Sequence, residues 1–189
     1  MNYPVWSAFD FANDIQHRLS MTVFWEGGTK MNRRNEEGFS LIELLIVVAI
    51  IGIIAAIAIP NLLKSQQAAR ETAAMTEVQT IGKSQVLYSV TKGHQKFGDL
   101  AALGAQGIID SNLASGNKGG YKYASTPINA EGMPAMFDTT AHPTAVGTFG
   151  TGNRSFYSNE TMVVFENDGI TPPTASPQDR VPKDGTPIQ

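Results

Sequence analysis

A single carboxylate inside a long apolar stretch is the group in this sequence best placed to do chemistry. From Phe39 to Ile59 nearly every side chain is apolar, and Glu43 carries the only charge. A charged side chain in the hydrocarbon core of a bilayer costs roughly 2.5–3.5 kcal/mol even on the lenient insertion scales. Glu43 therefore needs a cationic partner, which makes it the first candidate functional residue.

The element that must position Glu43 is a helix. Residues 39–60 are long enough, as a helix, to cross the ~30 Å hydrocarbon core of a bilayer. Pro60 lacks an amide hydrogen and clashes with the preceding turn, so we predict a kink or local unwinding there. The length and apolar character of this segment predict that it lies in a membrane.

The residues around Glu43 form a recognisable motif, which reads Gly38-Phe39-Ser40-Leu41-Ile42-Glu43-Leu44. A short polar segment precedes it and the apolar helix follows. The motif resembles the N-terminus of type IV prepilins and of the pseudopilins of type II secretion. The resemblance is specific, but it covers only this N-terminal part of the chain.

The resemblance implies three events at these positions. A membrane prepilin peptidase cuts between Gly38 and Phe39, and the same enzyme N-methylates Phe39. In the fibre, Glu43 then meets the new amino terminus of Phe39 in a neighbouring subunit. Two charges that are each costly in a dry core become tolerable as a pair, so this contact favours one stagger between subunits.

Residues 1–38 are predicted to be a leader that is removed. A segment beginning at Met31 is short and polar, and its Arg33 and Arg34 favour a cytoplasmic N-terminus. We expect translation to start at Met31, with residues 1–30 a mis-assigned extension; otherwise the leader is unusually long.

Two other interpretations of the apolar stretch stay open. A secretory signal peptide has an apolar region of about 7–15 residues and an A-x-A cleavage site. Ala56-Ile57-Ala58 fits that site, but the run is too long and contains Glu43. An uncleaved anchor that carries an unrelated domain is the second alternative.

Composition restricts the remaining function classes. The net charge is −3, so a basic surface for nucleic acid is not indicated. The chain has no cysteine and cannot form a disulfide. Many type IV pilins close their C-terminal region with a disulfide, so the resemblance implies that this distal region is held by packing alone or by a bound ion.

Residues 61–92 are predicted to continue the same helix as an amphipathic half. Ala74, Val78, Ile81 and Tyr88 fall on one stripe, which Gln85 interrupts. We therefore expect one helix from about Ser40 to about Thr91, whose second half is the spine of a globular head.

Residues 93–170 are predicted to form a β-rich head. Short helical turns are expected at Asp99–Gly104 and Asp110–Leu113, a loop at Gly116–Gly120, and strands at Tyr121–Thr126, Ala135–Asp138, Arg154–Tyr157 and Met162–Glu166. The last two strands suggest a hairpin with its turn at Ser158–Thr161. The predicted fold class is α+β, a long helix packed on a small antiparallel sheet, as in the type IV pilin fold.

Residues 171–189 are predicted to be an exposed tail without regular structure. This segment contains five prolines, at positions 172, 173, 177, 182 and 187.

The head shows no catalytic motif, so an enzyme is not expected and no cofactor is predicted. Its histidines, His94 and His142, are isolated in the sequence. Glu166 and Asp168 are weak candidates for a calcium site, because oxygen ligands suit that ion. Asp168-Gly169 is equally an ordinary turn signal.

The predicted function is structural: a subunit of a type IV pilus that polymerises through its N-terminal helix. The alternatives are a pseudopilin of type II secretion and a membrane-anchored binding module that never polymerises. The resemblance implies an inner-membrane precursor, then an extracellular pilus or a periplasmic pseudopilus. It also implies a prepilin peptidase and separate assembly and retraction ATPases as partners.

Overall fold

The computed structural model describes residues 38–188. The leader and the start at Met31, predicted for positions before Gly38, lie outside these residues. Within the described range the helices are α1 (Leu41–Thr91), α2 (Leu100–Ala105) and α3 (Ser111–Ala114). The strands there are β1 (Asn117–Lys118), β2 (Tyr121–Ile128), β3 (Met136–Pro143), β4 (Arg154–Asn159), β5 (Val164–Asp168) and β6 (Thr186–Ile188).

Helix α1 matches the long helix predicted from the sequence. It runs through Pro60 without interruption, so the local unwinding expected there is wrong. Proline removes only one backbone hydrogen bond, and the helix formers on both sides supply the rest. The kink at Pro60 stays a prediction.

The second half of α1 buries one face, and its members alternate in spacing between four and three residues. They are Gln67, Glu71, Ala74, Val78, Ile81, Gln85 and Tyr88. This spacing keeps the side chains on one stripe of a 3.6-residue helix. The predicted amphipathic half is confirmed, and its apolar members join Leu103, Tyr121 and Phe156 in the core.

The strands form one antiparallel sheet in the order β1-β2-β3-β4-β5-β6. The α+β fold with a long N-terminal helix is confirmed, and the sheet is consistent with the type IV pilin fold. Gly119 and Gly120 both have positive φ, at 62° and 82°. Two such residues make the tight turn of a hairpin, so the predicted loop there also contains β1.

All four predicted strands differ in extent from their predicted bounds, and β2 continues to Ile128 while β5 covers Val164–Asp168. β3 continues to Pro143, because His142 and Pro143 pair with Lys122 and Tyr121 of β2. The β4–β5 hairpin is confirmed, but its turn lies two residues later. Ser158 and Asn159 pair with β3, which extends β4, and Met162 takes the left-handed conformation in the turn (φ 61°).

The C-terminal segment has regular structure, contrary to the prediction for residues 171–189. β6 pairs with β5, and Pro187 lies opposite Phe165. Proline is tolerated at the edge of a sheet, because its missing N–H leaves no ladder partner unsatisfied on the open side. Pro187 is exposed, but Pro173 and Pro182 are buried, so these two prolines help to hold the segment to the head.

Candidate functional site

The N-terminal end of α1 holds the residues singled out by the sequence motif. Gly38, Phe39 and Ser40 precede the helix, and the Ser40 carbonyl accepts the first helical hydrogen bond from Leu44 N at 3.2 Å. Glu43 is therefore the third residue of the helical turn that follows the cap. The Ser40 N–H donates to Glu43 Oε2 at 3.3 Å, which is one half of a capping box.

This hydrogen bond uses little of the binding capacity of the Glu43 carboxylate. A carboxylate has about four acceptor sites, and a typical N–H···O distance is about 2.7–3.2 Å. Within residues 38–188 the Ser40 bond is the one hydrogen bond that the Glu43 side chain makes, and this side chain is exposed. The geometry leaves the carboxylate accessible to a stronger, cationic donor.

The first half of α1 presents an apolar surface that no described part of the chain covers. Within residues 38–188, α1 is long and apolar enough to cross a membrane, and the apolar window is not buried. The large apolar side chains exposed by more than half are Phe39, just before the helix, and Leu41, Ile42, Leu44, Leu45, Ile46, Val47, Val48, Ile50, Ile51, Ile53, Ile54, Ile57, Ile59 and Leu62 within it. Such a surface requires lipid or other helices around it.

Polar residues at the start of the buried face tie the second half of α1 to the sheet. Both oxygens of Glu71 are used: Oε1 accepts from the Asn153 N–H at 2.7 Å and Oε2 from Arg154 Nε at 2.8 Å. Arg154 also donates from Nη1 to Glu166 Oε2 at 2.6 Å. Burial lowers the pKa of Arg154, but Glu71 and Glu166 outweigh this and raise it.

The structure gives Glu166, one of the two calcium candidates, a different role, as the partner of Arg154 in an ion pair. Glu166 lies in an ion pair with Arg154, and Asp168 is exposed at the end of β5. A guanidinium beside Glu166 supplies the positive charge that a cation would otherwise supply. The sequence did not reveal the contact of Arg154 with Glu71 on α1, because these two residues are far apart along the chain.

Gln85 is the polar residue at the centre of the head. Its Nε2 donates to Ser125 Oγ at 2.6 Å and to the Gly98 carbonyl, and its Oε1 accepts from the Gly98 N–H at 3.1 Å. The side chain is fully buried. Gln85 therefore joins α1, the segment before α2 and strand β2 in one hydrogen-bonded network.

A cluster around Arg180 fastens the C-terminal segment to the sheet. Arg180 Nε donates to Glu160 Oε1 at 2.6 Å, and Nη2 donates to Glu160 Oε2 at 2.8 Å and to Asp138 Oδ1 at 2.7 Å. Asn159 Nδ2 donates to the Arg180 carbonyl at 2.7 Å. The expectation that packing alone or a bound ion holds this region is wrong, because the chain supplies its own ion pairs.

The histidines are not gathered into a site. His142 lies on β3, where burial and then the charge of Lys122 lower its pKa. His94 is exposed in the left-handed conformation after α1 (φ 48°). Among residues 38–188, no three His, Asp or Glu side chains come together as a metal site would require.

Comparison with known proteins supports the motif at the start of α1. Residues 33–59 match the model of the prokaryotic N-terminal methylation motif. Glu43 and the Gly38–Phe39 bond lie inside the matched residues.

Three curated relatives illustrate the wider similarity. A type IV major pilin, PilA of Myxococcus xanthus, is 35% identical over 120 residues, which cover 57% of this chain and 51% of the relative. A fimbrial protein of Pseudomonas aeruginosa is 30% identical over 139 residues, which cover 71% and 82%. The type II secretion system core protein G of P. aeruginosa is 35% identical over 60 residues, which cover 32% and 42%.

The extent of these matches differs. The chain spans about half the length of PilA and less of core protein G, whereas it spans most of the fimbrial protein. No solved structure matches the chain significantly.

Proposed function

The chain belongs to the family of type IV prepilins and type II secretion pseudopilins, and from this premise we propose that it is the subunit of a type IV pilus. Members of this family are structural proteins rather than enzymes. In the proposed function the apolar half of α1 packs with the same segment of other copies, and the heads face outward. The observation that carries the proposal is an exposed apolar helix surface whose only charge is Glu43.

Cleavage between Gly38 and Phe39 creates the cation that Glu43 needs. The new α-amino group of Phe39 sits at the end of the apolar helix, where it is costly without a counterion. A carboxylate–ammonium pair between two subunits removes both penalties together. A prepilin peptidase is the proposed partner for the cut and the N-methylation, and separate ATPases supply the energy for assembly.

Before assembly, the same helix surface favours storage of the subunit in the inner membrane. Residues 41–63 contain Glu43 as their only charged side chain, and Lys64 is the next. At 1.5 Å per residue this span is roughly 34 Å, enough for the bilayer core. The Ser40 N–H keeps the Glu43 carboxylate partly satisfied until an ammonium replaces it.

The pseudopilin of type II secretion is the second candidate. The 60-residue match to core protein G favours it. The pilus is preferred because the matches to PilA and to the fimbrial protein extend over 120 and 139 residues. A match of 139 residues is longer than α1 and therefore includes part of the head.

The experiment compares Glu43→Val with the parent chain and with Ile42→Val as a control on the same apolar segment. We expect Glu43→Val to abolish normal fibre yield while the subunit stays in the membrane fraction, and Ile42→Val to assemble normally. The measurements are electron microscopy of sheared surface fibres and immunoblots of both fractions.

Mass spectrometry of the fibre protein completes the test. An N-methylated Phe39 as first residue is the expected result. A parent chain that stays in the membrane with its Gly38–Phe39 bond intact and forms no fibres would support the anchored module that does not polymerise. Equal fibre yield from Glu43→Val would contradict the role given to Glu43. Fibres confined to the periplasm would support the pseudopilin.

A further inference from the structure

The loop between β3 and β4 carries the most exposed aromatic side chain of the head. Phe149 is 85% exposed and Val146 is 50% exposed. Isolated apolar residues on a surface are common and need no explanation by themselves. The exposure of these two residues becomes informative because of where the loop lies along α1.

The loop is fixed against one turn of α1. Gln67 Nε2 donates to the Gly147 carbonyl at 2.6 Å and to the Gly150 carbonyl at 3.1 Å. Inside the loop, the Thr151 N–H donates to the Ala145 carbonyl at 2.8 Å. A side chain at Gly150 would begin 2.5 Å from that carbonyl oxygen, so the loop is tightly folded.

The same turn of α1 lies just beyond the proposed membrane span. Leu63 is the last apolar residue before Lys64, and Gln67 follows Leu63 by four residues, or roughly 6 Å along the helix axis. The headgroup layer adds about 5–7 Å on each side of the hydrocarbon core. A loop held at Gln67 therefore lies at headgroup level when residues 41–63 cross the bilayer.

We propose that the β3–β4 loop inserts Phe149, with Val146 beside it, into the headgroup layer of the membrane that α1 spans. Aromatic side chains favour this layer, and the exposed cations Lys64 and Arg70 on the adjacent turns suit anionic headgroups. The contact holds the head of the stored subunit at a fixed height on the bilayer. It rests on the membrane-inserted precursor of the proposed function.

Tryptophan fluorescence tests the contact without a background signal. The only tryptophans of the chain are Trp6 and Trp25, so the full chain with both replaced by phenylalanine has none. Into it we place either Phe149→Trp or, as the matched control, Val90→Trp. Val90 is 80% exposed on α1 and lies 27 residues beyond Leu63, roughly 40 Å along the axis.

Both variants are reconstituted into phosphatidylethanolamine–phosphatidylglycerol vesicles with brominated acyl chains. We expect Phe149→Trp to show a blue-shifted emission and to lose fluorescence to the brominated lipid, while Val90→Trp keeps a solvent-like emission. Equal quenching of both, or a solvent-like emission at position 149, overturns the proposal. Protection of position 149 that arises only in assembled fibres would assign the loop to a second copy and also overturn it.

Vesicle flotation tests the membrane insertion of α1 separately from the membrane contact of the loop. If both variants float with the vesicles but position 149 stays in water, the proposed contact of the β3–β4 loop with the membrane is wrong, while the membrane insertion of α1 stands. If neither variant floats, the membrane insertion of α1 is wrong, and the loop contact that depends on it is wrong too.

Discussion

At the scale of single residues, polar side chains on the buried face of α1 decide how the helix meets the head. Gln67, Glu71 and Gln85 are buried, yet each has hydrogen-bond partners on another segment. A buried polar group without a partner costs about 1–3 kcal/mol. These residues therefore fix one register of helix against sheet, whereas apolar side chains alone would tolerate several.

Gln85→Leu tests this at the best-connected position. Leucine keeps the volume but leaves the Gly98 backbone groups and the Ser125 hydroxyl without their partner, so we expect a loss of about 2–3 kcal/mol in the free energy of unfolding. Gln79→Leu on the exposed face of the same helix is the control and should change it by less than about 0.5 kcal/mol. Chemical denaturation in detergent is the measurement. Equal effects of the two variants would contradict the role given to Gln85.

At the scale of elements, the C-terminal segment closes the face of the sheet that points away from α1. Tyr157 and Asn159 on that face are buried, and the Tyr157 hydroxyl donates to Asp138 Oδ1 at 2.6 Å. Burial and then this carboxylate raise the pKa of Tyr157. Arg180 reaches the same carboxylate, so one cluster joins the C-terminal segment, β3 and β4.

Arg180→Met tests whether this cluster holds the segment in place. The change leaves Asp138 and Glu160 without their cation in a half-buried site, and breaking such a pair costs about 3 kcal/mol. We expect that loss in the free energy of unfolding and faster proteolysis after residue 170. Lys183→Met, at an exposed position of the same segment, should leave both unchanged. A stable, protease-resistant Arg180→Met would show that β6 and the buried prolines suffice.

At the scale of the whole molecule, ion pairs between distant segments do the work that a disulfide would do in a chain with cysteines. Glu71–Arg154–Glu166 links α1 to the sheet, and Arg180 links the C-terminal segment to it. Unlike a disulfide, these links depend on pH. Burial raises the pKa of Glu160, but the hydrogen bonds and charge of Arg180 outweigh this and leave it below the usual value.

The stability of the molecule should therefore fall in acid. Because the Glu160 pKa is lower in the folded state, the unfolded chain binds more protons between the two values. The contribution of Glu160 is complete above its usual pKa of 4.5 and declines as the pH falls through the folded value. Glu160→Gln should be less stable at pH 7 and should lose less stability between pH 6 and pH 3. Thermal unfolding, followed by tyrosine circular dichroism across this pH range, measures both effects. Parallel curves of stability against pH for the two proteins would exclude Glu160 as a source of the acid sensitivity.

Three features could be predicted from the amino-acid sequence: a helix long enough to span a membrane, the motif around Glu43 and the buried stripe of α1. These features are local, because hydrophobic length and helical periodicity are read from neighbouring residues. The β4–β5 hairpin and the capped helices α2 and α3 were predictable for the same reason. Asp99 and Asp110 cap those helices by accepting hydrogen bonds from N–H groups two or three residues on.

The strand pairing of the proline-rich C-terminal segment and the ion pairs between distant residues became visible in the folded head alone. Pro187 lies in an edge strand because β6 pairs with β5. Arg180 is held against the sheet because Asp138 and Glu160 both form ion pairs with it. Pairings over such separations leave no periodic signal in the chain. Their partners are chosen by the burial and charge of the completed head, which no single segment contains.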